Sequence, residues 1–196
     1  PEVRAIEGGS SFEAKEALSD FTLALGFAVF GIFMLIALLF NSYSQPLLVI
    51  LSIPFALIGV VWAFFFHSEP FSFFVLLGVL ALVGVVVNDS LVMISHLNFI
   101  KQSQDKDSSS IQWIAMGAKD RLRAVILTTL TTLAGVLPLI YGFGGKDAFL
   151  QPMVMALGYG LLFGTFVTLI LLPCLYSLNL DLANWIKKIK NSLLKT

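Results

Sequence analysis

Residues 71–96 read FSFFVLLGVLALVGVVVNDSLVMISH, a stretch whose only formally charged side chain is Asp89. The stretch exceeds the roughly 20 residues that an α-helix needs to cross the ~30 Å hydrocarbon core of a bilayer. A charged side chain at the centre of such a helix costs about 2.5–3.5 kcal/mol on insertion scales, so it is rare without a role. Asp89 is therefore the first candidate for a functional residue, and we expect it to face protein or water rather than lipid.

The whole chain has the composition of a membrane protein. Of its 196 residues, 58% are hydrophobic and 12% are charged, whereas a soluble domain carries about 25% charged residues. The charges are also segregated, because none falls within residues 21–68, 124–145 or 148–180. The single cysteine, Cys174, excludes a disulfide framework within the chain.

The hydrophobic pattern predicts an all-α, polytopic membrane helix bundle with five transmembrane helices and a short cytoplasmic amphipathic helix. The break between the first two spans is the polar turn 41–46, which ends in a proline suited to a helix start. We expect transmembrane helices at about 18–40, 46–66, 71–97, 124–143 and 149–178, and the amphipathic helix at about 110–120.

Lysine and arginine set the expected orientation, because cytoplasmic loops of membrane proteins are rich in both. Residues 98–123 carry five of them and the tail, 179–196, carries four, so both should be cytoplasmic. The first twenty residues hold five carboxylates and two basic groups, and should lie outside. Since the chain opens without a methionine or a signal peptide, we expect it to be the C-terminal piece of a longer membrane protein.

Polar residues inside the spans are the candidates for chemistry. Asn88 and Ser90 flank Asp89, and the fourth span adds Thr128, Thr129, Thr131 and Thr132. Either these threonines bond carbonyls of their own helix and assist packing, or Thr128 and Thr132 present hydroxyls to Asp89 from one helix face. Asp89 is correspondingly either a structural partner in a buried polar cluster or a group that exchanges protons, since a low dielectric favours a neutral carboxyl.

Patterns typical of soluble enzymes are missing from the sequence. It contains no glycine-rich phosphate loop of the Walker type and no histidine–carboxylate spacing suited to a metal. His96 follows Asp89 by seven residues, which places both on one helix face; a polar helix end at the interface is the alternative interpretation. We expect no cofactor, no metal and no nucleic-acid partner.

Four stretches, in this order, resemble the C-terminal membrane half of resistance-nodulation-division (RND) efflux transporters. The resemblance is strongest to the drug-exporting (hydrophobe/amphiphile) branch of that family. The stretches are FNSYSQPLLVILSIPFALIGV (40–60), GVVVNDSLVMISHLN (84–98), GAKDRLRAVILTTLTTLAGVLPL (117–139) and LILLPCLYSL (169–178).

The resemblance implies twelve membrane helices in two related halves, of which these five are the eighth to the twelfth. Residues 1–17 would be the end of a periplasmic domain. The partners implied are the N-terminal half of the same transporter, two further copies in a homotrimer, a periplasmic adaptor, an outer-membrane channel and the lipid bilayer. The location implied is the bacterial inner membrane, with a periplasmic N-terminus and a cytoplasmic C-terminus.

The resemblance also implies a proton relay. Asn88 and Asp89 occupy the place symmetric to an Asp pair in the other half, where drug pumps usually have Lys-Asn, so Asp89 would be an added carboxylate. Arg121 corresponds to an arginine at the cytoplasmic end of the relay, and Thr128 to a threonine that contacts it. Further polar contacts between helices are expected from Ser90, Thr129 and Thr132.

The function expected from these features is secondary active transport, not enzyme catalysis. The chain would be the C-terminal membrane part of a proton-driven multidrug efflux pump that exchanges protons for substrate across the inner membrane. The alternative is a membrane module with a structural or assembly role and no transport. An intramembrane enzyme is disfavoured, because two-carboxylate acid–base chemistry would find only one carboxylate at depth.

Overall fold

The computed structural model describes residues 8–103, 110–143, 145 and 147–193. They form α1 (Gly8–Phe40), α2 (Ser44–His67), α3 (Phe73–Ser103), α4 (Ser110–Ile140), α5 (Leu150–Phe166) and α6 (Leu172–Leu193), with a π-helical turn, Val167–Leu171, joining the last two. No strand occurs among the described residues. The predicted all-α fold is confirmed.

Five helical segments are long and apolar enough to cross a membrane, as predicted. The fifth combines α5, the π-helical turn and the beginning of α6. The five segments are Lys15–Phe40, Ser44–His67, Phe73–Gln102, Ser110–Ile140 and Leu150–Leu182.

Several helices extend further than the sequence pattern predicted. The amphipathic segment at 110–120 is helical, but it forms the first part of α4 rather than a separate element. Residues 118–124, AKDRLRA, contain neither proline nor glycine, so nothing interrupts the helix before its apolar part. In the same way α1 already includes residues 8–17, and α6 includes residues 179–193 of the predicted tail. Residues 1–7 and 194–196 of the two predicted terminal segments lie outside the described part.

Short connections make successive helices antiparallel neighbours. Asn41, with φ +46°, ends α1, and Ser68, with φ +52°, follows α2; asparagine is among the few residues other than glycine that tolerate this left-handed region. The α1–α2 connection and the start of α4 therefore lie at one end of the bundle. We call this end, which carries Lys101, Lys119, Arg121 and Arg123, the basic end.

Helix α5 forms the centre of the bundle and packs against α2, α3 and α4. Its glycines permit this, because a Cβ atom at Gly158 would lie 2.9 Å from a methyl of Ile140, and one at Gly164 would lie 3.0 Å from Val86 and 3.2 Å from Ala56. Small residues of this kind let membrane helices approach closely. Other glycines in the spans have open space around them, so they do not serve packing within this chain: Gly26, Gly31 and Gly84.

The prolines inside the spans have unequal effects. Pro54 and Pro138 lie within continuous helices, whereas Pro173 lies two residues after the end of the π-helical turn. Proline has no N–H to give to the carbonyl of Leu169, four residues earlier, and its ring crowds that carbonyl. A local widening of the helix is a common response to such an interruption.

Candidate functional site

Asp89 lies near the midpoint of α3, where it is half-buried. Its carboxylate has no hydrogen bond or ion pair among the residues that the structure describes. Its neighbours differ, since Asn88 is exposed on the surface of this five-helix bundle and Ser90 is fully buried. Because a helix turns by about 100° per residue, the three polar side chains meet three different surroundings.

Ser90 forms a hydrogen-bonded contact between α3 and α2. Its Oγ lies 3.1 Å from Oγ of Ser52, and Ser52 donates its only hydroxyl proton to the carbonyl of Val49 at 2.6 Å. Ser90 must then be the donor to Ser52, because one hydroxyl carries one proton. This buried pair fixes the rotation of α3 against α2, and with it the direction of Asp89.

Three of the four threonines on α4 bond only their own helix. Thr128 donates to the carbonyl of Val125 at 2.9 Å, Thr132 donates to the carbonyl of Thr128 at 2.9 Å, and Thr131 also bonds within α4. No hydrogen bond joins Asp89 to Thr128 or Thr132. Of the two interpretations left open by the sequence, this geometry follows the one in which threonines bond local carbonyls.

Thr129 is the threonine that reaches another helix. Its hydroxyl lies 2.7 Å from that of Thr165 on α5, and each of the two also approaches a carbonyl of its own helix. Both side chains are buried. The three contacts are the one between the two hydroxyls and one from each hydroxyl to a carbonyl. Two hydroxyls carry only two protons, so at any time one of these three contacts has no proton to make a hydrogen bond.

At the basic end, α3 and α4 meet through a histidine–aspartate contact and a glycine. Nε2 of His96 lies 3.6 Å from Oδ2 of Asp120, and Arg121, the next residue, is half-buried with no partner for its buried Nε among the described residues. Gly117 permits the approach, because a Cβ there would lie 2.8 Å from a methyl of Leu97. Of the predicted relay residues, Arg121 thus directly follows an aspartate that contacts His96, and the resemblance included neither of these two.

Two further polar networks escaped the sequence analysis. At the basic end, Gln45 and Asn98 exchange amide hydrogen bonds of 3.0 and 2.9 Å, and Tyr176 donates to Oδ1 of Asn98 at 2.7 Å. Asn98 is separated from Gln45 by 53 residues and from Tyr176 by 78, so no local pattern links them. The network joins α2, α3 and α6.

The second network lies at the opposite end. Nδ1 of His67 lies 2.8 Å from the carbonyl of Ala63, and since a carbonyl only accepts, Nδ1 carries the proton. Nε2 of His67 then accepts from the hydroxyl of Tyr159 at 3.2 Å, and Tyr159 accepts from Tyr141 at 3.2 Å. This chain of hydrogen bonds joins α2, α5 and the end of α4.

The connection before α5 contains an unanticipated cap. The carboxylate of Asp147 accepts hydrogen bonds from the backbone N–H groups of Leu150, at 3.0 Å, and Phe149, at 2.8 Å. These bonds stabilise the charged form and hold the pKa of Asp147 below its ordinary value. Elsewhere in the described part, no group of three or more His, Cys, Asp or Glu side chains is arranged to hold a metal.

Comparison with known proteins gives a consistent result. Residues 2–179 match the AcrB/AcrD/AcrF family. The chain is 32% identical over 171 residues to the cobalt-zinc-cadmium resistance protein CzcA of Cupriavidus metallidurans, covering 87% of this chain and 16% of that protein. It is 26% identical over 176 residues to the multidrug resistance protein MdtC of Edwardsiella ictaluri, covering 90% and 17%.

A solved structure is similar as well. The crystal structure of a heavy metal efflux pump superimposes with a TM-score of 0.72 at 25% sequence identity, over 85% of this chain and 16% of that one. The chain therefore spans about one sixth of the length of the relatives it matches.

Proposed function

Because the chain belongs to the AcrB/AcrD/AcrF family of RND efflux transporters, we propose that it is the C-terminal membrane part of a proton-driven multidrug efflux pump. The observation that carries the proposal is the position of Asp89. A lone carboxylate at the middle of an apolar helix, without a hydrogen bond among the described residues, is a group whose charge is costly and whose protonation relieves that cost.

The proposed mechanism is secondary active antiport. Proton uptake makes Asp89 neutral and turns it from an acceptor into a group that can also donate a hydrogen bond. Helix α3 is bonded to α2 through Ser90 and Ser52 and packed against α5 through Gly78. A displacement of α3 upon protonation would therefore carry α2 and α5 with it, and such movements would reach periplasmic substrate-binding domains.

The proposed setting follows the family. The basic end faces the cytoplasm of a bacterial cell, and the chain crosses the inner membrane five times with its N-terminus in the periplasm. An N-terminal half of the same transporter faces Asn88 and Asp89 and contributes its own carboxylates. The pump is a homotrimer and works with a periplasmic adaptor and an outer-membrane channel.

Export of metal cations is the second candidate, favoured by a specific observation. The chain is 32% identical to CzcA and between 26% and 30% identical to the MdtC proteins, and CzcA is named for cobalt, zinc and cadmium resistance. The two functions share the proton-coupled membrane part and differ in cargo. Uptake of zinc or of an amphiphilic dye into everted vesicles that contain the full-length transporter distinguishes them.

The coupling proposal is tested by Asp89→Asn in the full-length transporter. Asparagine keeps the shape and the hydrogen-bonding capacity but cannot exchange a proton near neutral pH. We expect proton-driven export to fall at least tenfold at equal membrane expression, while Asp181→Asn, an exposed carboxylate on α6, serves as the matched control.

Two outcomes would contradict the proposal. Undiminished export by Asp89→Asn across a range of pH would remove Asp89 from the coupling. A wild-type transporter that moves neither protons nor substrate would favour the structural or assembly module instead.

A further inference from the structure

Two orphaned polar groups mark the contact between α3 and α4 at the basic end. Nε2 of His96 and Nε of Arg121 are both buried and have no hydrogen-bond partner among the described residues; the 3.6 Å from His96 to Asp120 is an ion-pair distance, too long for a hydrogen bond. Buried polar groups in proteins are almost always bonded to protein or to ordered water. His96 lies against α4, beside Asp120, so its unpartnered Nε2 indicates a place that water or another polar group enters.

This place lies on the path from Asp89 to the basic end. Seven residues separate Asp89 from His96, which is two helical turns less about 20°, so both side chains leave α3 in nearly the same direction. The separation along the axis is about 10.5 Å. Asp120, on α4, is 55% exposed at the side chain, whereas His96 is only 19% exposed. Exposure therefore rises from His96 to Asp120.

We propose that His96 and Asp120 form the exit of the proton path, a relay between Asp89 and solvent at the basic end. The inference rests on the proposed function and names residues that carry the proton out. Imidazole suits the task, because its ordinary charge change lies between pH 5 and 8 and its two nitrogens can bind and release different protons.

The transfer balances in three steps. Asp89 releases its proton to a chain of waters that spans the roughly 10.5 Å along α3, and the ring nitrogen of His96 that faces away from Asp120 takes up a proton from the other end of that chain. His96 then gives the proton on its other nitrogen to the carboxylate of Asp120, once the 3.6 Å gap closes to a hydrogen bond or a water bridges it. Asp120 passes this proton to solvent, and exchange of the ring tautomer returns His96 to its starting state.

Charged and titratable groups near His96 come from three helices. From α4, Asp120 places Oδ2 3.6 Å from Nε2 of His96, and Arg121 is the next residue on that helix. From α3 itself Lys101 lies further toward the basic end, and from α6 Tyr176 is engaged with Asn98. Among the described residues, Asp120 is therefore the one acceptor within ion-pair distance of the imidazole.

The test measures proton flux through the full-length transporter in proteoliposomes with an imposed pH gradient. We expect His96→Gln and Asp120→Asn each to slow the flux about tenfold, and the double variant to be no slower than either, because steps in one series are not additive. The matched controls are His67→Gln, at the opposite end, and Asp181→Asn, on α6; both should stay within twofold of wild type.

A rescue experiment separates a relay from a structural role. Imidazole added on the side of the basic end should restore most of the flux to His96→Ala, because a free imidazole can replace the missing proton carrier. A histidine needed only for packing would give a variant with lower thermal stability and no response to imidazole, and that result would overturn the relay.

The outcomes also separate this inference from the proposed function. Loss of coupling in Asp89→Asn together with full flux in His96→Gln at every pH would reject the exit path and leave the transport proposal intact. Absence of proton flux in the wild-type transporter would reject both.

Discussion

Substitution of Gly78 by alanine tests whether α3 is held against α5 by backbone contact. A Cβ atom at Gly78 would overlap the carbonyl oxygen of Met153, and would lie 3.0 Å from its carbonyl carbon and 3.0 Å from Cβ of Ala156. Carbon atoms prefer about 3.5–4.0 Å, so the two helices must separate by roughly 0.5–1 Å. A helix carbonyl cannot rotate away as a flexible side chain can.

The expected cost follows from these contacts. Overpacking of a core costs about 1–3 kcal/mol, and the fixed backbone contact places Gly78→Ala near 3 kcal/mol on that scale. The higher helix propensity of alanine offsets about 1 kcal/mol of this cost. The net loss of about 2 kcal/mol corresponds to a drop in melting temperature of about 4–8 °C for a cooperative unit of 150–250 residues.

The assay is thermal unfolding of the detergent-extracted protein, followed by fluorescence-detected size exclusion. Gly135→Ala is the matched control, because no atom lies within 4 Å of the Cβ position there; it should melt at or slightly above the parent temperature. Equal melting temperatures for Gly78→Ala and Gly135→Ala would contradict the close approach of α3 and α5. The coupled movement proposed for these helices would then lose its basis.

Two other predictions concern the ends of the bundle. Asp147→Ala should lower the melting temperature at neutral pH. The pKa of Asp147 is lower in the folded protein than in the unfolded chain, so the stability that its carboxylate adds is present above the unfolded-state pKa and is lost as pH falls through the folded-state pKa. The difference in melting temperature between variant and parent should therefore vanish in acid. Tyr176→Phe removes the part-buried 2.7 Å hydrogen bond to Asn98 and should cost about 1 kcal/mol of stability. Tyr43→Phe, at an exposed position, should be neutral. Equal melting temperatures of the two variants would contradict the network.

The spans were predictable because bilayer crossing depends on composition and length alone. The polar turn with Asn41 and the proline after it indicate the first connection in the sequence, because both act through local backbone geometry. Helix ends at the membrane surface were less predictable. At residues 118–124 the sequence turns polar without containing a residue that stops a helix, so hydropathy changes while the backbone continues.

The site was predictable only in part, for a physical reason. Asp89 stands out because a charged residue among apolar residues can be recognised from the sequence without knowledge of the fold. The bond between Ser52 and Ser90 and the pairing of His96 with Asp120 depend on how helices rotate and approach, which is decided by packing at positions such as Gly117. A small polar side chain on a membrane helix looks the same in sequence whether it bonds its own carbonyl or a neighbour.

The free-energy cost of a charge at Asp89 sets how far its protonation can shift an equilibrium between two positions of α3. If protonation biases α3 between two positions by the insertion-scale cost of about 2.5–3.5 kcal/mol, the populations change by a factor of roughly 60–400. A complete switch, from 1:99 to 99:1, needs about 5.5 kcal/mol. In the proposed antiport, one carboxylate of this cost would supply about half of that free energy. A second titrating group of similar cost, set against Asn88 and Asp89 from the other half of the transporter, would supply the remainder. The exposed position of Asn88 and the half-buried position of Asp89 leave this side of α3 available for such a partner.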